Sequence, residues 1–579
     1  MARSRKKPAA IAPKPFWERH PALIIAAFAL AAYSTSFTGT FQLDDLRNII
    51  QNESIRNIRN LGAIWGFLPR RFIGNLTFAL NYHFNGANPF GYHVVNVLIH
   101  IAASLALFRL TGLVLKTPRF RNRAIAGNGN AVALGCALLF AVHPIQTQAV
   151  TYIVQRLASL ATMFYLLSVA SYISGRMERG KRSAVMYAAA AVSCLLGMLT
   201  KEITFTLPIM ILIVEFGLFG SMHIGRARRN PRILVLIGST AAALLVIPAL
   251  IGFNWAFIFN TVPSDRLADP RLSPFVYALT QFRVIPLYLR LILAPVGLSV
   301  EHDIPAAVSF MSPDIIAGAI LVAGLLGFGV WMFFRGRLAG FGLIWFFLAM
   351  SVESLKPLAN VMYEHRMYLP MAGLSMAAMD GIHALARRTG RKPAAVTFVV
   401  IVVMLAGLSV HRNLVWRDPV ILWTDAIGKA PNRFRPYSNR ADAYRNRGDV
   451  VLAFEDIDTA AKLFPNQAKP QYFKAIALND LGRYEEAVAS ITRAINIKPN
   501  NAELYRWRGL YNANMGKTDE ALADIEHAID LAPNNGSLYQ NRAGILLMKG
   551  DIAGARADIE HARSLGETII PALERLIGK

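Results

Sequence analysis

The sequence predicts an all-α protein in two parts, a polytopic membrane helix bundle of about eleven crossings followed by an α-solenoid. Three observations carry that prediction. Of 579 residues, 54% are apolar and only 17% are charged, too few charges to coat a water-soluble chain of this size. Long apolar stretches recur from residue 22 to residue 411. Beyond residue 434, small and apolar positions repeat every 34 residues.

The apolar stretches cover roughly 22–38, 93–115, 129–145, 149–173, 184–200, 203–219, 233–253, 314–334, 341–355, 367–386 and 394–411. Most approach the ~20 residues that a helix needs to cross the hydrocarbon. The first follows a basic start (Arg3, Arg5, Lys6, Lys7, Lys14) and lacks a small-residue cleavage site, so it reads as an uncleaved anchor. A twelfth segment, 275–294, is interrupted by Arg283, Pro286 and Arg290. Short basic loops favour the cytoplasm. With the N-terminus inside, the clusters Lys116/Arg119/Arg121/Arg123, Arg176/Arg179/Lys181/Arg182 and Arg226/Arg228/Arg229/Arg232 fall inside. Arg335/Arg337 and Arg387/Arg388/Arg391/Lys392 join them only if 275–294 lies in the interface or re-enters. Eleven crossings then carry everything after about residue 412 to the far side, twelve being the alternative.

The net charge of +25 does not read as a nucleic-acid footprint. Residues 1–411 hold 38 Lys and Arg against 15 Asp and Glu, while residues 412–579 hold 23 against 21. The excess therefore travels with the apolar segments. Two cysteines, Cys136 and Cys194, both in apolar runs, exclude a disulfide framework and a multi-cysteine zinc site.

From Phe434 the register Tyr437, Ala441, Tyr444, Ala453, Ile457, Ala460 and Pro465 recurs. It returns as Ala475, Leu478, Ala487, Ile491, Ala494 and Pro499, then as Tyr505, Gly509, Ala521, Ile525, Ala528 and Pro533. The fourth copy is Tyr539, Ala543, Leu546, Ala555, Ile559 and Ala562. This is the tetratricopeptide pattern, small residues where paired helices touch and a proline ending each unit. The expected organisation is a membrane module over 1–411, a linker and lead-in half-repeat helix over 412–433, and four repeats over 434–579.

That topology sorts the acidic residues. Asp44, Asp45, Glu202, Glu301, Asp303, Glu353 and Glu364 fall in far-side loops or helix ends, joined by Arg70, Arg71, Lys201, Arg283, Arg290, Lys356 and Arg366. Arg156 lies less than two turns inside the fourth crossing from the same face. Carboxylates beside guanidinium groups at a membrane face suit transfer from a lipid phosphate donor: a carboxylate accepts a proton and Arg or Lys holds the departing phosphate. Solvated loops and ion pairs are the plainer alternative. His93, Asn96 and His100 form one helical stripe, read as an interhelical hydrogen-bond seam rather than a metal site. His143 opens an HPIQTQ loop as a pocket residue or a helix cap. No Walker loop, dinucleotide fingerprint, HExxH or nucleophile elbow is present.

Six segments, in order, resemble those of the transmembrane and tetratricopeptide-repeat O-mannosyltransferases. They are FQLDDLRNIIQN (41–52), GYHVVNVLIHIAASLALF (91–108), LFAVHPIQTQAVTYIVQRLASL (139–160), LTKEITFTLPIMILIVE (199–215), TQFRVIPLYLRLILAPVGLSVEHD (280–303) and PLANVMYEHRMYLPMAGL (357–374). The resemblance implies the class C glycosyltransferase fold and a polyprenyl-phosphate sugar as donor, used at the non-cytoplasmic face. Gln146 and Gln148 stand where the family has His and Glu, and Ser159 where an acidic residue is common, which argues against catalysis by that loop.

With the resemblance in hand, the expected site has Asp44 or Asp45 as the base, the balance leaning to Asp45. Lys201 and Arg366, then Arg156 and Arg283, hold the donor phosphate, and His143, Glu202, Glu301, Asp303, Glu364 and His365 complete the pocket. Phosphate leaves readily, so no metal is required in principle. Two partners are expected, a membrane lipid donor and a protein or peptide acceptor held by the repeats. The expected location is a bacterial inner membrane with the repeats periplasmic, the endoplasmic reticulum with lumenal repeats being the alternative. A non-catalytic repeat scaffold, or a lipid or glycan acceptor, are the rival functions.

Overall fold

The computed structural model describes residues 15–220, 231–250, 272–355 and 360–578. The basic start at Arg3–Lys14, Arg226, Arg228, Arg229 and Lys356 lie outside the described residues. The chain separates into two compact units at Asp418–Pro419, and the described residues are helical in both.

In the first unit every predicted crossing contains a helix. Among the described residues seven are long and apolar enough to span a membrane: Pro89–Lys116, Ala124–Val142, Ile153–Met177, Pro274–Leu293, Pro313–Phe334, Leu338–Leu355 and Arg391–Val415. Pro21–Ala32, Gly180–Met198, Leu207–Leu218, Pro231–Leu250 and Tyr368–Thr389 supply the rest. Pro274–Leu293 runs unbroken through Pro286, where an interrupted segment was expected. Its arginines do not break it: Arg283 turns outward to Asp314 and to the carbonyls of Pro305 and Ala306.

Helices in lipid gain little from burying apolar surface against each other, so close backbone packing holds them together. Gly342 and Gly373 show it. A Cβ on Gly342 would stand 2.3 Å from the Gly373 carbonyl oxygen, and the reverse substitution would clash equally. Trp345, fully buried one turn on, donates its indole N–H to the Leu369 carbonyl at 3.1 Å. Gly318 likewise lets Pro313–Phe334 approach the Phe282 carbonyl. Outer helices instead present Ile320, Phe328, Val396 and Val400 outward, as helix faces that meet lipid do. The protein is a multi-pass membrane protein.

The second unit opens with Pro419–Lys429. Four helix pairs follow, whose first helices begin at Phe434, Ala468, Ala502 and Gly536, each 34 residues after the last. Gly448, Gly482, Gly516 and Gly550 turn each first helix into its partner with φ of +72° to +88°, a region closed to most side chains. Half-buried pairs Arg440–Asp456, Arg508–Asp524 and Arg542–Asp558 clamp the two helices of three repeats. In the second repeat Ser490 replaces the aspartate, and Lys474 pairs backward with Asp458. Pro571–Ile577 caps the array.

Candidate functional site

The aspartates sit just after a strained backbone position. Leu43, at φ +53°, is the one non-glycine residue in the left-handed region among those described, a conformation that costs about 1–2 kcal/mol for an L-residue. Asp45 holds the turn: its two carboxylate oxygens accept the N–H groups of Gln42 (3.0 Å) and Val154 (2.7 Å). It is 1% exposed, and burial pushes its pKa up to about 8. Asp44 faces the other way and is exposed. Its N–H donates to the Tyr152 hydroxyl at 2.8 Å, and among the described residues nothing donates to its carboxylate. The geometry thus reverses the leaning toward Asp45: the buried neighbour is the brace, and Asp44 offers the accessible carboxylate.

Segment 143–156 joins this turn to the rest of the site. His143 accepts the Ile145 N–H and donates through Nε2 to the Ile292 carbonyl, so of its two expected roles it fills the cap. Gln148 accepts both the backbone N–H (2.8 Å) and the Nδ1–H (3.2 Å) of His365. Tyr152 stacks on Trp416. Arg156, expected at the phosphate, is fully buried and committed to protein: Nε donates to Asn96 Oδ1 at 2.6 Å and the terminal nitrogens to the Thr77 and Tyr92 carbonyls. Phe78 lies under it. Arg156 and the His93–Asn96–His100 stripe are therefore one structural seam, in which His100 meets the Tyr368 hydroxyl and the Ala141 carbonyl. Arg283 is likewise a staple between helices.

Lys201 and Arg366 do come together. Glu353, at the end of Leu338–Leu355, stands between them, 3.3 Å from Lys201 Nζ and 2.9 Å from Arg366 Nε. Arg366 also donates to the Tyr277 hydroxyl and the carbonyls of Val361 and Asn360. Arg70 pairs with Glu202 at 3.3 Å. Burial lowers the Lys201 pKa, with Glu353 opposing. Burial and the charges of Lys201, Arg366 and Arg71 hold His365 well below its ordinary value, hence neutral.

The remaining carboxylates brace the loops around this corner. Glu364 accepts the Ser299 N–H (2.6 Å) and meets His302 Nε2 (3.0 Å), while Glu301 accepts from Asn360. Asp303 lies exposed on the same loop. Among the described residues no three His, Cys, Asp or Glu side chains converge as a metal site.

Curated relatives match along much of this chain. Mouse protein O-mannosyl-transferase TMTC4 is 25% identical over 494 residues, 76% of this chain and 66% of that protein. The human TMTC4 protein is 26% identical, over 77% and 66%. The Caenorhabditis elegans protein O-mannosyl-transferase F38B6.6 is 24% identical, over 76% and 62%. The chain is a relative of the transmembrane and tetratricopeptide-repeat O-mannosyl-transferases. It spans slightly less than two thirds of the length of these relatives. Two repeat-family models, described as TPR repeat and Tetratricopeptide repeat, match residues 475–516 and 502–535. Among solved structures, MamA is 21% identical over 25% of this chain and 86% of its own, with a TM-score of 0.24.

For this O-mannosyl-transferase relative, sequence reasoning overlooked Tyr152, Gln42 and Tyr277. Each touches the site through a backbone group or a hydroxyl. The adjacent arginines Arg70 and Arg71, in a loop that should be poor in positive charge, were the available signal for the basic corner.

Proposed function

We propose that the protein transfers a sugar from a polyprenyl-phosphate donor to Ser or Thr hydroxyls of proteins at the non-cytoplasmic face. The observation that carries this reading is the segment 143–156. It ties an accessible carboxylate, Asp44, to a buried cationic corner, Lys201 with Arg366, through Tyr152 and Val154 at one end and Gln148 at the other. The names of the relatives support the same reaction class.

In this mechanism the acceptor oxygen attacks the anomeric carbon as Asp44 takes its proton. The bond from anomeric carbon to phosphate oxygen breaks, its electron pair leaves with the polyprenyl phosphate, and configuration inverts. Lys201 and Arg366 neutralise the charge that appears. Asp45 braces the strained turn and takes no proton from the acceptor. Because phosphate is a good leaving group, the step needs no metal in principle. The repeats recruit the polypeptide, since stacked helix pairs present an extended surface suited to peptides and recruitment raises local concentration.

The test is transfer by the purified full chain from a polyprenyl-phosphate mannose to a Ser/Thr peptide, read by mass spectrometry. A hexose gained on Ser or Thr upholds the reading. Hexose on a lipid alone moves the acceptor, and no transfer from any polyprenyl-phosphate sugar leaves the scaffold.

A further inference from the structure

Arg71 ends the turn Pro69–Arg71, just before helix Phe72–Asn85. Two contacts fasten that turn to the segment bearing Lys201. The Ile73 N–H donates to the Leu199 carbonyl at 3.0 Å, and Arg70 pairs with Glu202. The cations of this corner are not equally partnered. Among the described residues Glu202 pairs with Arg70, and Glu353 pairs with both Lys201 and Arg366. Glu364 and Glu301 are turned to His302 and Asn360.

Arg71 has no such answer. Among the described residues no carboxylate pairs with it and no acceptor meets its guanidinium, whose Nε is buried without a partner. The residue is half-buried, so the rest of its head stays reachable. It is close enough to Lys201 and His365 for its charge to oppose protonation of both. Arg71 is thus, among the described residues, the cation of this corner with no carboxylate paired to it, beside a lysine and an arginine that share Glu353. An unmatched guanidinium beside a buried lysine is unfavourable until an anion enters.

We propose that Arg71 is a phosphate-binding residue of the donor site, working with Lys201 and tuned to the departing polyprenyl phosphate rather than to the intact donor. The inference rests on the donor reading above. Its logic is charge. The donor is a phosphodiester with one negative charge, and breaking the sugar–phosphate bond leaves a monoester with two near neutral pH. An unpartnered guanidinium beside a lysine and an arginine that share one carboxylate suits the second state, so its attraction grows as the bond breaks. That is the kind of contact that raises turnover rather than affinity for substrate.

The test uses the purified full chain in detergent at pH 8, with farnesyl phosphate as monoester and its methyl ester as diester. Wild type should bind the monoester more tightly. Arg71→Gln should lose about tenfold or more for the monoester, the size of a lost charge-assisted contact, and no more than about threefold for the diester. Arg71→Lys should keep most of both. An unchanged melting temperature shows that Arg71→Gln is folded, and Arg70→Gln, which breaks the Glu202 pair, should lower the melting temperature without erasing monoester preference. Equal monoester binding by Arg71→Gln and wild type overturns the role of Arg71 while leaving the donor reading intact. Competition by phosphatidylglycerol at equal concentration makes Arg71 a lipid-headgroup contact and also overturns it. Failure of wild type to bind either farnesyl ester removes the donor reading, and the inference with it.

Discussion

The Asp45 carboxylate accepts the Val154 N–H at 2.7 Å, and that bond joins two stretches of chain more than a hundred residues apart. Asp45 is thereby made part of the scaffold, and Asp44 is turned outward beside it. The same bond places Arg156, two residues beyond Val154, under the influence of Asp45. An arginine fully enclosed by Asn96, Thr77 and Tyr92 then completes the seam.

Replacing each aspartate by asparagine separates the two roles. Asp44→Asn should reduce transfer by ~100-fold or more with little change in melting temperature, as expected for loss of a general base. Asp45→Asn should instead lower stability by about 1–3 kcal/mol, because one of two buried N–H donors loses its acceptor. If Asp44→Asn transfers sugar normally, the base must be sought elsewhere.

Asp45 also makes stability depend on pH. In the folded protein its pKa is raised to about 8 from an ordinary 3.8, so between those values the native state keeps a proton that the unfolded chain has released. Its contribution is therefore complete below about pH 4 and fades as pH rises through 8. Melting temperatures in detergent from pH 4 to 9 should fall less steeply for Asp45→Asn than for wild type. The same slope in both would assign the effect to another group.

Among the described residues Glu353 is the carboxylate that pairs with both Lys201 and Arg366. Removing its charge with Glu353→Gln leaves two buried cations facing each other, at a cost of about 3–5 kcal/mol. Farnesyl phosphate should recover more of the melting temperature in this variant than it adds to wild type, because the phosphate takes the vacated counter-charge. A ligand shift no larger than that of wild type would mean that phosphate does not reach this pair.

Topology is open to a direct measurement. A periplasmic-type reporter fused after Lys579 should be active in a bacterial host, and a cytoplasmic-type reporter silent. The opposite pattern would place the repeats inside, make Pro274–Leu293 the added crossing and end their proposed service at the far face.

Periodicity is local, and it made the repeat register readable in the primary structure down to the residue: Phe434, Ala468, Ala502 and Gly536 begin helices as the 34-residue spacing requires. Hydropathy similarly announced the membrane helices, because spanning hydrocarbon needs about 20 apolar residues whatever the neighbours are. Charged residues carry no such local rule. Arg156, Arg283, Lys201 and Arg366 look alike along the chain, yet the first is sealed behind Asn96, the second staples two helices, and only the last two share Glu353. Asp44 and Asp45 are chemically identical neighbours. What separates them is a distant backbone amide at Val154 and a left-handed Leu43 that points one carboxylate inward and the other out. A side chain's role depends on which donors and charges surround it, and long-range packing supplies those.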